Sequence, residues 1–188
     1  MKKLLGFSAL VLTLTLPPTA QAHEDGGGDL MMQSSPNAAK APYDIQYLDT
    51  MAEHHREGIR MFQMAVDKAK SGELRDKAQR MVDDQEKEIP VLTSMREDVK
   101  PDAPAAVNMK FPGMKPMDMS RLESASGGEF DRRFLDMTIK HHQGAVEMSK
   151  AELKSGKYPQ AKDKAHETID KQVKEIAELK RMRDTLDR

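Results

Sequence analysis

The sequence predicts an all-α fold, a ferritin-like four-helix bundle built from two repeated αα-hairpins. Three observations lead there. Apolar residues recur at three- and four-residue steps through most of the chain, the period of an amphipathic helix. Residues 43–98 and 130–185 align on each other without a gap and repeat the same chemistry. Apart from Pro90, Gly58 and Gly144, the Gly and Pro breaks fall between four such stripes rather than inside them.

The chain has 188 residues, enough for one domain of ordinary size. Its start, MKKLLGFSALVLTLTLPPTAQA, reads as a secretory signal peptide over residues 1–22. Lys2 and Lys3 form the charged region, Leu4 to Leu16 the apolar region, and Ala20-Gln21-Ala22 the cleavage site. The mature chain would begin at His23, in a periplasm or outside the cell. Residues 23–42, rich in Gly, Ser, Pro and Ala, read as a flexible leader.

The first helix starts at Tyr43 and carries Leu48, Met51, His55, Ile59, Phe62, Val66 and Ala69 on one stripe, with Ser71-Gly72 ending it. The second carries Leu74, Ala78, Met81, Val82, Gln85, Ile89, Leu92 and Met95 and stops before Pro101 and Pro104. Pro90 inside it predicts a kink or a helix in two pieces. Together these form the first hairpin, 43–98. Residues 99–129 are a Met- and Pro-rich connection, and the second hairpin, 130–186, has helices at 130–155 and 158–186, divided near Gly156 and Pro159. The repeat pairs Asp44 with Asp131, Leu48 with Leu135, His54 with His141, His55 with His142, Met61 with Met148, Gln85 with Gln172 and Glu88 with Glu175. One hairpin cannot bury its own apolar face, so two pack together. Helices of roughly 25 residues are about 38 Å long, and the connection is long enough to span them. Both a crossover and simple up-down packing are therefore open.

Composition narrows the chemistry. Cysteine is absent, while methionine occurs 15 times. An exported chain without thiols has Met as its soft metal ligand. The 30 basic and 31 acidic residues leave no excess suited to nucleic acid, and no segment after the leader is apolar enough to span a membrane.

Of the six histidines, four form two pairs, in MAEHHREGIRM and MTIKHHQGAVEM. At about 100° per residue, His54 and His55 straddle the inward face with Met51 between them and Met61 close to His54. Met137 and Met148 fall close to His141, while His142 lies nearer the apolar stripe. Gln85 and Gln172 sit among apolar residues of the second and fourth helices, with Glu88 and Glu175 at the stripe edge. These polar groups are expected to accept the second ring N–H of neighbouring histidines. The structural alternative is hydrogen-bonded core histidines in a Met-filled core. Met109, Met114, Met117 and Met119 lie in non-helical chain, where no helical stripe explains them; they could anchor the connection or supply thioethers. Met64 forms a small group with Met61, as does the pair Met31-Met32, and His23 would join its imidazole to the new α-amine. His166, opposite Gln79 in the repeat, is expected at the surface.

LDMTIKHHQGAVEM, Leu135 to Met148, and more loosely LDTMAEHHREGIRM, Leu48 to Met61, resemble the signature of the domain-of-unknown-function 305 family. The resemblance covers about residues 43–186, and its His-His-Gln-Gly core is residues 141–144. It implies a four-helix, ferritin-like bundle and, for the copper-binding members, copper held through Met and His. It implies no enzymatic reaction, and no catalytic residue is assigned. The chain departs from the family where Thr50 and Thr138 replace one of two adjacent methionines, at Lys140 where proline is common, and at Arg56-Glu57 in place of Gln-Gly.

The expected function is sequestration or transfer of Cu(I), with Ag(I) as a surrogate, serving copper tolerance or homeostasis. The expected ligands are Met51, His54, His55, Met61, Met64, Met109, Met114, Met117, Met119, Met137, His141, His142 and Met148. The partner would be the metal ion and another periplasmic copper protein, with oligomeric state open. A metal-free structural or partner-binding bundle is the alternative. A di-metal carboxylate bundle fits less well, because Glu53 and Glu57 correspond to Lys140 and Gly144 and no paired Glu-x-x-His occurs.

Overall fold

The computed structural model describes residues 33–186. The signal peptide, Met31-Met32 and His23 lie outside the described residues. Helix α1 is Tyr43–Lys68 and α2 Gly72–Val99; a short α3, Ser120–Glu123, precedes α4, Gly127–Ser155, and α5, Pro159–Leu186. Among the described residues there is no strand, so the predicted helical bundle of hairpins is the observed one. No helix among them is long and apolar enough to cross a membrane.

Two repeated aspartates set the pairing of the hairpins. Asp131, near the start of α4, accepts the N–H groups of Lys70 at 2.8 Å and Ser71 at 3.0 Å in the α1–α2 turn. Asp44, in the first turn of α1, accepts those of Lys157 at 2.8 Å and Tyr158 at 2.6 Å in the α4–α5 turn. Each helix thus begins where the other ends, and α1 and α4 run antiparallel. The order of directions is up, down, down, up. Residues 100–126 must therefore travel the length of the bundle, which selects the crossover topology.

That crossing is anchored along α1. Asp49 Oδ2 accepts the Ala106 N–H at 2.7 Å, Thr50 Oγ1 that of Asn108 at 2.9 Å, and Glu57 Oε1 that of Met117 at 3.0 Å. Lys68 Nζ then donates to the Glu123 carbonyl at 2.6 Å. On its other side the connection presses on α4. Gly113 has φ +88°, and a Cβ there would strike the Gly144 carbonyl oxygen; a Cβ on Gly144 would lie 2.6 Å from the Gly113 oxygen. Only glycine allows this backbone approach. The connection is not wholly irregular, since α3 forms within it and α4 begins at Gly127, earlier than the apolar stripe alone indicates.

Helix α2 runs unbroken through Pro90 instead of dividing. Pro90 is exposed, so water can satisfy the carbonyl whose partner N–H the proline lacks. Ser71 Oγ caps α2 by accepting the Leu74 N–H at 3.3 Å.

Apolar burial falls into two main clusters along the bundle. One gathers Met61, Phe62, Leu74, Met81, Phe130, Phe134 and Leu179. The other gathers Tyr47, Leu48, Met51, Leu92, Phe111, Met114 and Met148. Both histidine pairs lie in the chain between residues of the first cluster and residues of the second.

Candidate metal centre

All four paired histidines are interior: His54 is 2% exposed, His55 1%, His141 5% and His142 0%. His166, by contrast, is exposed. The helical spacing that places the pairs on the inward face of α1 and α4 brings their rings into one row. His54 and His141 stack with centroids 3.6 Å apart at 18°. His55 lies 6.3 Å from His54, and His142 lies 5.9 Å from His141. Phe62 meets His141 and His142 edge-on at 5.9 and 6.0 Å. Gly58 makes the central stack possible, because a Cβ there would sit 2.7 Å from His141 Cε1 and 2.5 Å from Gln85 Oε1.

Hydrogen bonds fix how these rings present themselves. His55 Nε2 donates to Glu88 Oε2 at 2.7 Å. At the repeated position, His142 Nε2 lies 3.1 Å from Glu175 Oε2, at ion-pair distance but outside good hydrogen-bond geometry. His141 Nε2 donates to the His54 carbonyl at 3.0 Å. The Nδ1 atoms of all four rings are buried without a hydrogen-bond partner. A ring whose Nε2 carries the proton leaves Nδ1 as a lone pair, the form that binds metal.

The electrostatics favour that form. Burial, then the neighbouring imidazoles, hold His54 and His141 well below the usual histidine range. Burial also lowers His55, against the opposing pull of Glu88. Burial alone would raise Glu88, but the His55 contact and the Lys164 and Lys171 ammonium groups outweigh it and bring the carboxyl down to about 2. Glu175 behaves alike, lowered to about 2 against burial by His142, Lys77 and Lys171.

The glutamates, and not the glutamines, stand against the rings of His55 and His142. Gln85 Oε1 and Gln172 Oε1 are buried without partners, which corrects the expectation that they accept imidazole protons. A glutamate at the stripe edge is long enough to reach inward, while Gln85 packs close to Gly58.

The expected thioethers divide between the two apolar clusters. Met51, Met114 and Met148 are buried in one, with Met109 packed against it. Met61 is buried in the other, with Met64, Met117, Met119 and Met137 packed against it. The connection's methionines pack against the bundle, Met109 and Met114 with one cluster and Met117 and Met119 with the other. Among the described residues no three His, Cys, Asp or Glu side chains gather into a group that could hold an ion.

Two stretches of the chain, 17–96 and 93–183, match the family model "Domain of unknown function (DUF305)". The chain belongs to the DUF305 family. The two matched stretches cover most of the two hairpins. No curated protein matches. Among solved structures, this DUF305 chain is similar to CopM in its Cu(II)-bound form, with 30% identity, 76% of this chain and 96% of that chain covered, and a TM-score of 0.66. The Cu(I)-bound form of CopM gives 28% identity over 76% and 96%, TM-score 0.64. A silver-bound form obtained by soaking gives 28% over 76% and 95%, TM-score 0.63. A DUF305 protein of Streptomyces coelicolor, assigned as secreted, shares 20% identity over 78% and 94% at a TM-score of 0.69, a likeness of fold alone.

Proposed function

We propose that this chain is an exported copper-binding protein, periplasmic or secreted, that holds Cu(I) in its imidazole layer and sequesters it or passes it on. The observation that carries the reading is the set of four buried Nδ1 atoms without partners on two repeated helices, with the Nε2 atoms of His55 and His142 facing carboxylates and that of His141 facing a carbonyl. A buried polar atom ordinarily finds a partner, and a lone pair left open at four related positions suits a cation. The likeness to CopM, solved with copper and with silver, supports the same choice of metal.

Neutral imidazole and thioether add no negative charge, which matches a soft monovalent ion. His54, His55, His141 and His142 would be the principal ligands. Met51 and Met148 on one side, and Met61 and Met137 on the other, would supply sulfur. Met64, Met109, Met114, Met117 and Met119 would be auxiliary or transfer ligands where the connection crosses. No turnover is required, and the reading is of a carrier and not of an enzyme. The biological role would be copper tolerance or homeostasis, with another periplasmic copper protein as donor or recipient.

A metal-free bundle has one observation in its favour: His54 and His141 stack directly and share a hydrogen bond, as polar core residues do. Cu(I) titration of the purified chain against a competing chelator separates the two. The copper reading expects tight binding that falls at least tenfold when His55 and His142 are both replaced by Gln. Unchanged affinity and stoichiometry in that variant would leave the metal-free reading.

A further inference from the structure

The repeat contains a second pair of identical residues that sequence reasoning did not single out, Lys77 and Lys164. Both are buried, each 6% exposed, which is rare for lysine without a partner. Each reaches across from its own hairpin to the other. Lys77, on α2, has Nζ 3.3 Å from Glu175 Oε1 and 2.8 Å from Glu178 Oε2 on α5. Lys164, on α5, has Nζ 3.7 Å from Glu88 Oε1 on α2 and 3.0 Å from Glu167 Oε2. The two inner glutamates divide their oxygens alike: Oε1 faces a lysine of the opposite hairpin, and Oε2 faces a ring nitrogen of its own hairpin.

We propose that Lys77 and Lys164 are positioning residues of the imidazole layer, acting through Glu175 and Glu88. By occupying Oε1, each ammonium fixes the orientation of its glutamate, so that Oε2 is held against the histidine Nε2 and Nδ1 is left facing the interior. Docking of the two hairpins and preparation of the rings are then one event, since neither hairpin contains a complete His–Glu–Lys chain. The arrangement is unequal in one respect. Glu88 Oε1 also receives Lys171 Nζ at 3.0 Å, closer than Lys164, whereas Lys77 is the lysine within ion-pair distance of Glu175 among the described pairs.

The proposal rests on the copper-binding reading only for its affinity arm; the ring tautomers are read in the metal-free chain by long-range proton–nitrogen correlation spectra. In the wild-type chain His55 and His142 should carry the proton on Nε2. Lys77→Met should turn His142 into a mixture of tautomers and weaken Cu(I) about tenfold, the lower end for loss of a group that orients a ligand. Lys77→Arg should restore both. Lys164→Met alone should move His55 little, and adding Lys171→Met should move it as Lys77→Met moves His142. If Lys77→Met fails to fold, Lys77→Gln, which keeps a donor without the charge, carries the same expectation. A lower melting temperature with both tautomers unchanged would overturn the proposal and make these lysines cross-links only. Tautomers that shift as stated in a chain that binds no Cu(I) would uphold the positioning role and sink the copper reading.

Discussion

In the first hairpin His55 meets Glu88 at 2.7 Å, and in the second His142 meets Glu175 at 3.1 Å. Around that shared pair the hairpins part company. Glu57 in the first corresponds to Gly144 in the second, and Ala65 in the first to Glu152 in the second. The difference at 57 and 144 follows from a single crossing chain that two related helices must accommodate. Against α1 it needs a grip, and Glu57 accepts the Met117 N–H. Against α4 it needs room, and Gly144 lets the Gly113 backbone pass. The chemistry facing the interior is repeated; the residues facing the connection are free to diverge. The position shared by Thr50 and Met137 follows the same rule, since Thr50 Oγ1 accepts the Asn108 N–H of the connection.

The most damaging way to erase this difference is to copy the first hairpin into the second. Gly144→Glu should cost more than about 3 kcal/mol in urea unfolding, because the side chain must enter space filled by the connection's backbone. The reverse change, Glu57→Gly, should cost less, about 1–2 kcal/mol for one lost acceptor and added backbone freedom. Equal costs would mean that the connection does not distinguish the helices.

The turn clamps are the next test. Asp131→Ala strips the acceptor from two backbone N–H groups and should lower stability by about 2–3 kcal/mol, with hydrogen exchange rising at Lys70 and Ser71. Protection that stays high there would show that α1 and α4 are held together by other means.

The ends of the bundle differ through Glu152. Its oxygens are buried without a donor, and it faces Asp44, so the contact is favourable when Glu152 carries the proton. Burial, then the Asp44 charge, pushes Glu152 up to about 8, while Asp44 is lowered by the N–H groups of Tyr158 and Lys157, which outweigh its burial. The folded chain therefore binds the Glu152 proton more tightly than the unfolded chain does. Its stabilising effect is complete below the ordinary glutamate range and is lost as pH rises through about 8. Glu152→Gln should flatten the fall in stability between neutral and alkaline pH, a difference on the order of 1–2 kcal/mol. Identical slopes for variant and wild type would remove the proton-sharing pair from the account.

The smallest effect is expected at His166, exposed and outside the ring row. His166→Ala should change stability by less than about 0.5 kcal/mol and leave Cu(I) affinity unaltered. A large loss of affinity there would move the site away from the repeated pairs.

Helical period and the internal repeat made the four helices and the inward histidines legible before any coordinates. The crossover was not, because periodicity describes one helix at a time and not how hairpins pair. Asp44 and Asp131 held the answer, but as two aligned aspartates they give no sign of which turn they clamp. Of the expected acceptors Glu88 and Glu175 stand against the rings and Gln85 and Gln172 do not, since a helical wheel marks where Cβ points and ignores how far a glutamate reaches. Lys77 and Lys164 were visible as identical residues beside the stripe, yet solvated lysine is the usual outcome there. Which apolar cluster each of the connection's methionines packs against was not legible, because it depends on the crossing path.

A crystal of this chain soaked with Ag(I), with anomalous scattering used to place the ion, tests the central claim most directly. The account predicts silver among the four paired rings, bonded to at least one Nδ1 and to a methionine sulfur, and absent when His55 and His142 are both Gln. Silver found only outside that layer, with the four rings as they are in the metal-free chain, would contradict it.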